Sequence, residues 1–300
     1  MCTNKFTIHN CPLCNSTQLE HFIDCTDCYA TREKFAIYKC CDCGFRFTQD
    51  APVESEIGPY YESPDYISHT DTNKGCMNHV YHWVRKYMLA RKAELINKVS
   101  GLESGSLLDY GAGTGYFAQT MRCQGWEVKA IEKSVMARDF ALDHFGLEME
   151  SDIALDFLPS CSFQVVTLWH VMEHVEKLDY LWNRISDILA DDGTLIVAVP
   201  NCKSFDAQLY KEDWAAYDVP RHLWHFEPET MKRMGSKYGF SLIEEMPMPF
   251  DAFYVSMLSE KYKNHSSYFV KGMWNGFKAW LACRKDKEKS SSLIYVFKKK

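Results

Sequence analysis

Two cysteine pairs near the start of the chain have the spacing of metal ligands. Cys11-Pro12-Leu13-Cys14 and Cys40-Cys41-Asp42-Cys43 each place two residues between thiols, with residues 15–39 between the pairs. That gap exceeds the ~15–20 residues usual between zinc-binding pairs. Two thiolate pairs on tight turns complete a tetrahedral zinc site, and four thiolates leave no open position, so its role is structural. Cys41 competes with Cys40, but only Cys40 gives the two-residue spacing. A third pair, Cys25-Thr26-Asp27-Cys28, can replace one of these or hold a second site. The chain has 13 cysteines, and Met1–Cys14 shows no basic-then-apolar export segment. A cytoplasmic location follows as the default, where thiols stay reduced and metal binding explains cysteines better than disulfides do.

A second chemical signal is Leu107-Leu108-Asp109-Tyr110-Gly111-Ala112-Gly113-Thr114-Gly115, which ends an apolar run and opens a helical one. Ligands of open α/β sheets bind beyond the carboxyl ends of the strands. Glycines there admit close approach of a ligand, and the helix N-terminus offers unpaired N–H groups. The dinucleotide fingerprint Gly-x-Gly-x-x-Gly is not met, because the third glycine falls one residue early. Asp109, just before the loop, would repel a pyrophosphate and suits a ligand carrying an ammonium and a sulfonium. The stretch Leu108–Gly115 resembles the first motif of class I S-adenosylmethionine-dependent methyltransferases. The resemblance implies an α/β, Rossmann-like sheet of seven strands with the last antiparallel, and a loop that wraps the methionine part of the cofactor. It assigns cofactor contacts to Asp109, Gly111, Gly113 and Gly115, the ribose hydroxyls to Glu132 at the end of Val128–Ile131, and the adenine amino group to Asp152.

His170-Val171-Met172-Glu173-His174 reads in isolation as an inverted zinc-protease motif. His170 directly follows an apolar strand, so the two histidines need not share a helix face. The stretch Phe163–Val175 instead resembles the methyltransferase segment after the fourth strand. On that reading His170 lines the cofactor cleft or helps deprotonate substrate, while Glu173 and His174 brace the turn. Further on, Trp214–Phe226 gathers Arg221, His222, His225 and several aromatics in one loop. The resemblance places such a loop over the acceptor. His222 and His225 are candidate proton acceptors, and Arg221 a candidate anion clamp.

The elements that must carry these residues alternate. Strands are expected at Ser106–Tyr110, Glu127–Ile131, Phe163–Trp169, Thr194–Val199, Ser241–Met246 and Ser292–Phe297. Helices are expected at His79–Val99, Tyr116–Gln124, Ser134–His144, Leu178–Leu189 and Pro228–Tyr238. This alternation means a mostly parallel sheet covered by helices. The organisation reads as a zinc-binding module (1–50), a linker (51–78) and a methyltransferase domain (79–300) with a helical insertion at about 251–289. In the insertion, Phe269, Met273, Phe277, Trp280 and Leu281 recur at helical spacing, while Gly272 and Gly276 weaken the helix. That segment fits a lid, a dimer face, a membrane-surface helix or a helix packed on its own domain.

The formal charge is −6. A basic stretch from Met257 to Lys300 offsets a strongly acidic body, which argues against a nucleic-acid partner. The expected activity is methyl transfer from S-adenosylmethionine to a small-molecule acceptor, such as a sugar, a quinone-like compound or another metabolite. The alternatives are an RNA methyltransferase docking through the zinc module, and a non-catalytic cofactor-binding protein.

Overall fold

The computed structural model describes residues 4–61, 76–263 and 266–300, with the backbone alone for 76–83. Pro64 and Tyr66 of the linker, and the side chain of Val80, lie outside the described residues. The cysteine-rich part holds β1 (Lys5–Phe6), β2 (Leu19–Thr26), β3 (Lys34–Cys40), β4 (Arg46–Thr48) and β5 (Ala51–Pro52). After α1 (Cys76–Ser100) come β6 (Ser106–Tyr110), α2 (Tyr116–Cys123), β7 (Glu127–Ile131), α3 (Val135–Phe145), β8 (Phe163–Trp169), α4 (Leu178–Ile188) and β9 (Leu189–Pro200). The remainder is α5 (Phe205–Tyr210), β10 (Trp224–His225), α6 (Pro228–Lys237), β11 (Phe240–Pro247), α7 (Asp251–Tyr262), α8 (Tyr268–Lys285) and β12 (Ser292–Lys299). Among the described residues no helix is long and apolar enough to cross a membrane.

The main sheet has the order β11-β12-β9-β8-β6-β7, with β12 antiparallel to both neighbours and the other pairings parallel. Its central strands are apolar on both faces, as a sheet covered by helices requires. Leu107, Leu108, Val165, Val166, Leu195, Val197 and Val199 are all fully buried. Helix α4 presents Leu178, Leu181, Trp182, Ile185 and Ile188 to this core at three- and four-residue steps. Trp182 stacks on Tyr238 and meets the edge of Phe297. Among the described residues the main sheet has six strands, where the resemblance implies seven. The remaining edge position is a single parallel bridge, Ile131 to Glu150. Two backbone bonds make it, Glu150 N–H to Ala130 O (3.0 Å) and Glu132 N–H to Glu150 O (2.9 Å). The chain then turns into a short 3-10 segment, Asp152–Phe157, so the ladder ends after one residue.

The cysteine-rich part forms a four-stranded sheet in the order β10-β4-β3-β2. Its outer strand β10 comes from the acceptor-side loop: Trp224 pairs with Phe47, and His225 with Arg46. Phe45 stacks on Trp224 and packs against Phe226. Cys11, Leu13, Phe45 and Phe47 join one continuous apolar cluster with Leu108, Trp182 and Phe297 of the main core.

Helix α8 forms across Gly272 and Gly276. A Cβ at Gly272 would lie 2.6 Å from the Met257 Cα, and one at Gly276 would lie 2.7 Å from the Phe253 Cα. The glycines therefore set the close approach of α7 and α8, which offsets their low helix propensity. The buried face of α8 is Gly272, Gly276, Ala279 and Cys283. The aromatic stripe points outward, with Phe269, Met273, Phe277 and Leu281 exposed. Gly276→Val should wedge the two helices apart and cost ~1–3 kcal/mol, read as a lower thermal midpoint. Lys278→Ala, a change at an exposed position of the same helix, should leave the midpoint unchanged.

Candidate active site and cysteine cluster

The glycine loop leaves β6 at Tyr110 and takes left-handed backbone at Gly111 (φ 75°), Gly113 (φ 55°) and Gly115 (φ 78°). A Cβ at Gly111 would lie 2.3 Å from Val171, so the loop is pressed against the turn after β8. A Cβ at Gly113 would meet nothing within 4 Å, leaving that face open to a ligand. The Gly113 N–H donates to the Glu132 carboxylate (2.8 Å), and the Ser134 N–H donates to its other oxygen (2.8 Å). Glu132 thus holds the loop, and each oxygen keeps a lone pair. Asp152 lies close enough to Tyr110 that, after burial, its charge is the main influence raising the tyrosine pKa.

Asp109 is fully buried and accepts the Thr167 hydroxyl (2.8 Å). Burial pushes its pKa up to about 6, helped by Glu132 and opposed by the Thr167 hydroxyl and Lys92. Lys92 of α1 lies 4.1 Å from the Trp169 ring. Burial pushes its pKa down to about 8, against the pull of Asp109 and Asp251.

His170 stands at the carboxyl end of β8 with φ 57°. Its Nδ1 is 3.4 Å from Glu173 and its Nε2 is 3.4 Å from Asp251 at the start of α7. Burial alone would lower its pKa, but the two carboxylates outweigh it and raise it to about 9. His170 is therefore an imidazolium at neutral pH.

The acceptor-side histidines separate. His222 packs edge-on to His174, with ring centroids 4.5 Å apart. It is next to the turn after β8, since the Leu223 N–H donates to Glu173 O (2.8 Å). His225 is buried in β10, its Nε2 3.0 Å from the Thr48 hydroxyl and its ring edge-on to Tyr217. It is enclosed by the cysteine-rich sheet and does not join the residues around His170. Arg221 is not a free anion clamp. Its guanidinium is buried, pairs bidentately with Asp218, and reaches Asp27 (3.2 Å) and Tyr60 O (2.6 Å). Trp214, Tyr217 and Trp224 are buried as well, so they build the loop and do not wall an open pocket.

The four sulfurs of Cys11, Cys14, Cys40 and Cys43 lie within 4.8 Å of one another. Cys11 Sγ is 3.4 Å from Cys43 Sγ, and Cys14 Sγ is 3.5 Å from Cys40 Sγ. A tetrahedral ion with ~2.3 Å bonds to sulfur fits this set. Each pair is followed by a residue in left-handed backbone, Asn15 (φ 61°) and Gly44 (φ 79°), which turns the chain sharply after the second thiol. Cys41 is exposed and outside the cluster. Cys25 and Cys28 join no metal-ligand group among the described residues, and Cys25 packs with Phe35, Tyr217 and Val219.

Lys92 and Asp251 escaped the sequence reading. Lys92 had a signal, since it stands four residues from both Met88 and the buried Ile96 on α1. Asp251 had none, because it reaches His170 from 81 positions away in the chain. A groove of about 430 Å³ between α1 and the β11–α7 junction is lined by Lys92, Met88, Leu95, Met248 and Phe250, among others, and by no residue of the glycine loop.

A glycine loop after the first parallel strand, an acid after the second and an antiparallel strand inserted near the sheet edge define the class I methyltransferase fold. The chain belongs to the methyltransferase-domain family, whose model matches residues 82–245. An uncharacterized methyltransferase of Staphylococcus carnosus is 27% identical over 128 residues, covering 42% of this chain and 60% of that protein. A ubiquinone biosynthesis O-methyltransferase of Glaesserella parasuis is 25% identical over 171 residues, covering 51% and 72%. The solved geranyl diphosphate C-methyltransferase of Streptomyces coelicolor A3(2) superposes with a TM-score of 0.50 at 14% identity, covering 77% of this chain and 88% of its own.

The raised pKa of His170 fixes a pH dependence. Stability from its ion pairs is complete below the unfolded value of about 6.5 and is lost as pH rises through about 9. The gap in thermal midpoint between wild type and His170→Gln should therefore be widest below pH 6.5 and close above pH 9. An imidazole resonance absent from the variant should titrate near pH 9.

Proposed function

We propose that this chain transfers a methyl group from S-adenosylmethionine to a small-molecule acceptor, such as a sugar, a quinone-like compound or another metabolite. The observation that carries this reading is the open face at Gly113 beside the Glu132 carboxylate, at the carboxyl ends of two adjacent parallel strands. A relative named for ubiquinone biosynthesis O-methylation supports a small acceptor. In this reading residues 1–50 are the metal-stapled module, 51–78 a linker and 79–300 the methyltransferase domain. Cys11, Cys14, Cys40 and Cys43 hold a structural zinc ion.

The cofactor, when bound, supplies a methyl group already activated as a sulfonium. Gly111, Gly113 and Gly115 let the backbone approach its methionine part. The free lone pairs of Glu132 accept the ribose hydroxyls, and Asp152 accepts from the adenine amino group. Asp109, ionised above about pH 6, complements the positive charge of the ligand. His170, held as an imidazolium between Glu173 and Asp251, fixes the shape of the cleft and is not the base. His222 takes the acceptor proton, and His225 is reassigned to packing. Orientation of the two reactants supplies up to ~7–11 kcal/mol in well-aligned cases, and a base adds ~10²–10⁴-fold.

Calorimetric titration with S-adenosylmethionine, with NAD as control, tests the reading. Heat from the first ligand alone is expected, and binding of NAD alone would overturn it. Gly113→Arg should weaken that affinity at least ~10-fold, or ~1.4 kcal/mol, with an unchanged circular dichroism spectrum. Cys11→Ser should lower the zinc content and the thermal midpoint; equal metal content would remove Cys11 from the ligand set.

A further inference from the structure

The turn after β8 and the loop before β10 bring together three groups that the cofactor site does not use. Glu173 and His174 are consecutive on the 3-10 turn Met172–His174, and His222 comes from the loop. One donor atom from each lies within 4.8 Å of the other two. Glu173 is fully buried, and neither of its carboxylate oxygens accepts a hydrogen bond among the described residues. Its Oε1 shares the His170 imidazolium with Asp251, at 3.4 Å from Nδ1. Its Oε2 has no partner among the described residues, and a second cation would supply one for this buried atom.

The backbone contacts of the two imidazoles fix their tautomers. His174 Nδ1 is 3.0 Å from Arg221 O, with the Tyr61 hydroxyl 3.3 Å from the same nitrogen, and His222 Nδ1 is 2.9 Å from Ala216 O. A carbonyl can only accept, so each Nδ1 carries the proton and each Nε2 keeps its lone pair. This backbone anchoring of the far nitrogen fixes tautomer and ring direction in metal sites. The surroundings are also built. Thr48 of the cysteine-rich sheet donates to His222 O (2.7 Å), and the Leu223 N–H donates to Glu173 O (2.8 Å). Asp218 Oδ2 lies 3.8 Å from His222 Nε2 but is committed to Arg221.

We propose that Glu173, His174 and His222 bind a divalent transition-metal ion, with zinc as the reference case. Two imidazoles and one carboxylate leave at least one position of such an ion open to water or an acceptor oxygen. The site differs from the inverted zinc-protease pattern, because His170 is not a ligand and the third donor comes from a separate loop. Ion binding stands on this geometry alone. Its role rests on the methyl-transfer reading: there the ion holds the acceptor oxygen and lowers its proton affinity, so that the proton passes to solvent water and not to His222, whose Nε2 is then a ligand.

The test is elemental analysis of the full chain after chelation, re-loading with zinc chloride and removal of free metal. Wild type should hold one more zinc ion per chain than His222→Ala and Glu173→Gln, while Cys11→Ser loses the other ion. His174→Gln serves as a third variant should either of the first two fail to fold by circular dichroism. Equal zinc in wild type and the folded variants would overturn the proposal. Calorimetry with S-adenosylmethionine on the same samples separates the two readings. Loss of the additional zinc with cofactor affinity retained places the ion on the acceptor side. A wild type that holds the additional zinc but binds no cofactor sinks the methyl-transfer reading and leaves the metal site standing.

Discussion

One buried guanidinium ties the cysteine-rich part to the catalytic fold. Arg221 bonds Asp218 in its own loop, Asp27 in the turn after β2, and the carbonyl of Tyr60 at the start of the linker. Asp27 is fully buried and accepts from the backbone N–H groups of Tyr29, Ala30 and Thr31. The ring of Tyr29 lies under the guanidinium at 4.5 Å. One guanidinium serves two carboxylates, with the Asp27 charge met further by those N–H groups and the Thr31 hydroxyl, and removing the guanidinium would leave uncompensated buried charge, typically ~3–5 kcal/mol. The position of His222, one residue along, depends on this anchor.

The cysteine-rich sheet then acts as a platform. Its strand β4 pairs with β10, and Thr48 grips both the His222 carbonyl and the His225 ring. So small a sheet buries too little to be stable alone and needs either a metal or a neighbour. Here it has a neighbour, through Phe45 and Phe47, and the cysteine cluster at its base supplies the donor set for a metal. Sites borne on rigid elements hold geometry better than sites on free loops. The acceptor-side loop gains that rigidity by becoming the outer strand of another sheet.

Much of this was legible in the chain. Three strands, Ser106–Tyr110, Glu127–Ile131 and Phe163–Trp169, coincide with their expected bounds because buried parallel strands are written as short apolar runs. The glycine loop and the paired cysteines are local patterns, and local patterns survive folding. What was not legible depends on distant partners. His225 looked like its neighbour His222, yet the pairing of β10 with β4 sets its ring against Thr48. Arg221 looked free until Asp27, 194 positions away, took its charge. Gly272 and Gly276 argued against a helix by propensity, and close packing on α7 reversed that argument. The apolar stripe of α8 was legible as helical, but its outward direction was not.

The charges at the carboxyl ends of β6 and β8 form one connected set. Asp109, Lys92, Asp251, His170 and Glu173 alternate in sign, from the end of β6 to the turn after β8, each within electrostatic reach of the next. Alternation lets five ionisable groups share a poorly solvated space, because each charge replaces part of the water its neighbour lost. Three acids against two bases leave a negative surplus among these five once Asp109 is ionised, above about pH 6, and Glu132, within reach of Asp109, adds to it. A negative surplus among the side chains beside the glycine loop favours a cationic ligand over a pyrophosphate, which the same set would repel. The departure of the glycine loop from the dinucleotide pattern and the charge balance behind it thus arise from the same residue, Asp109, and both favour a sulfonium.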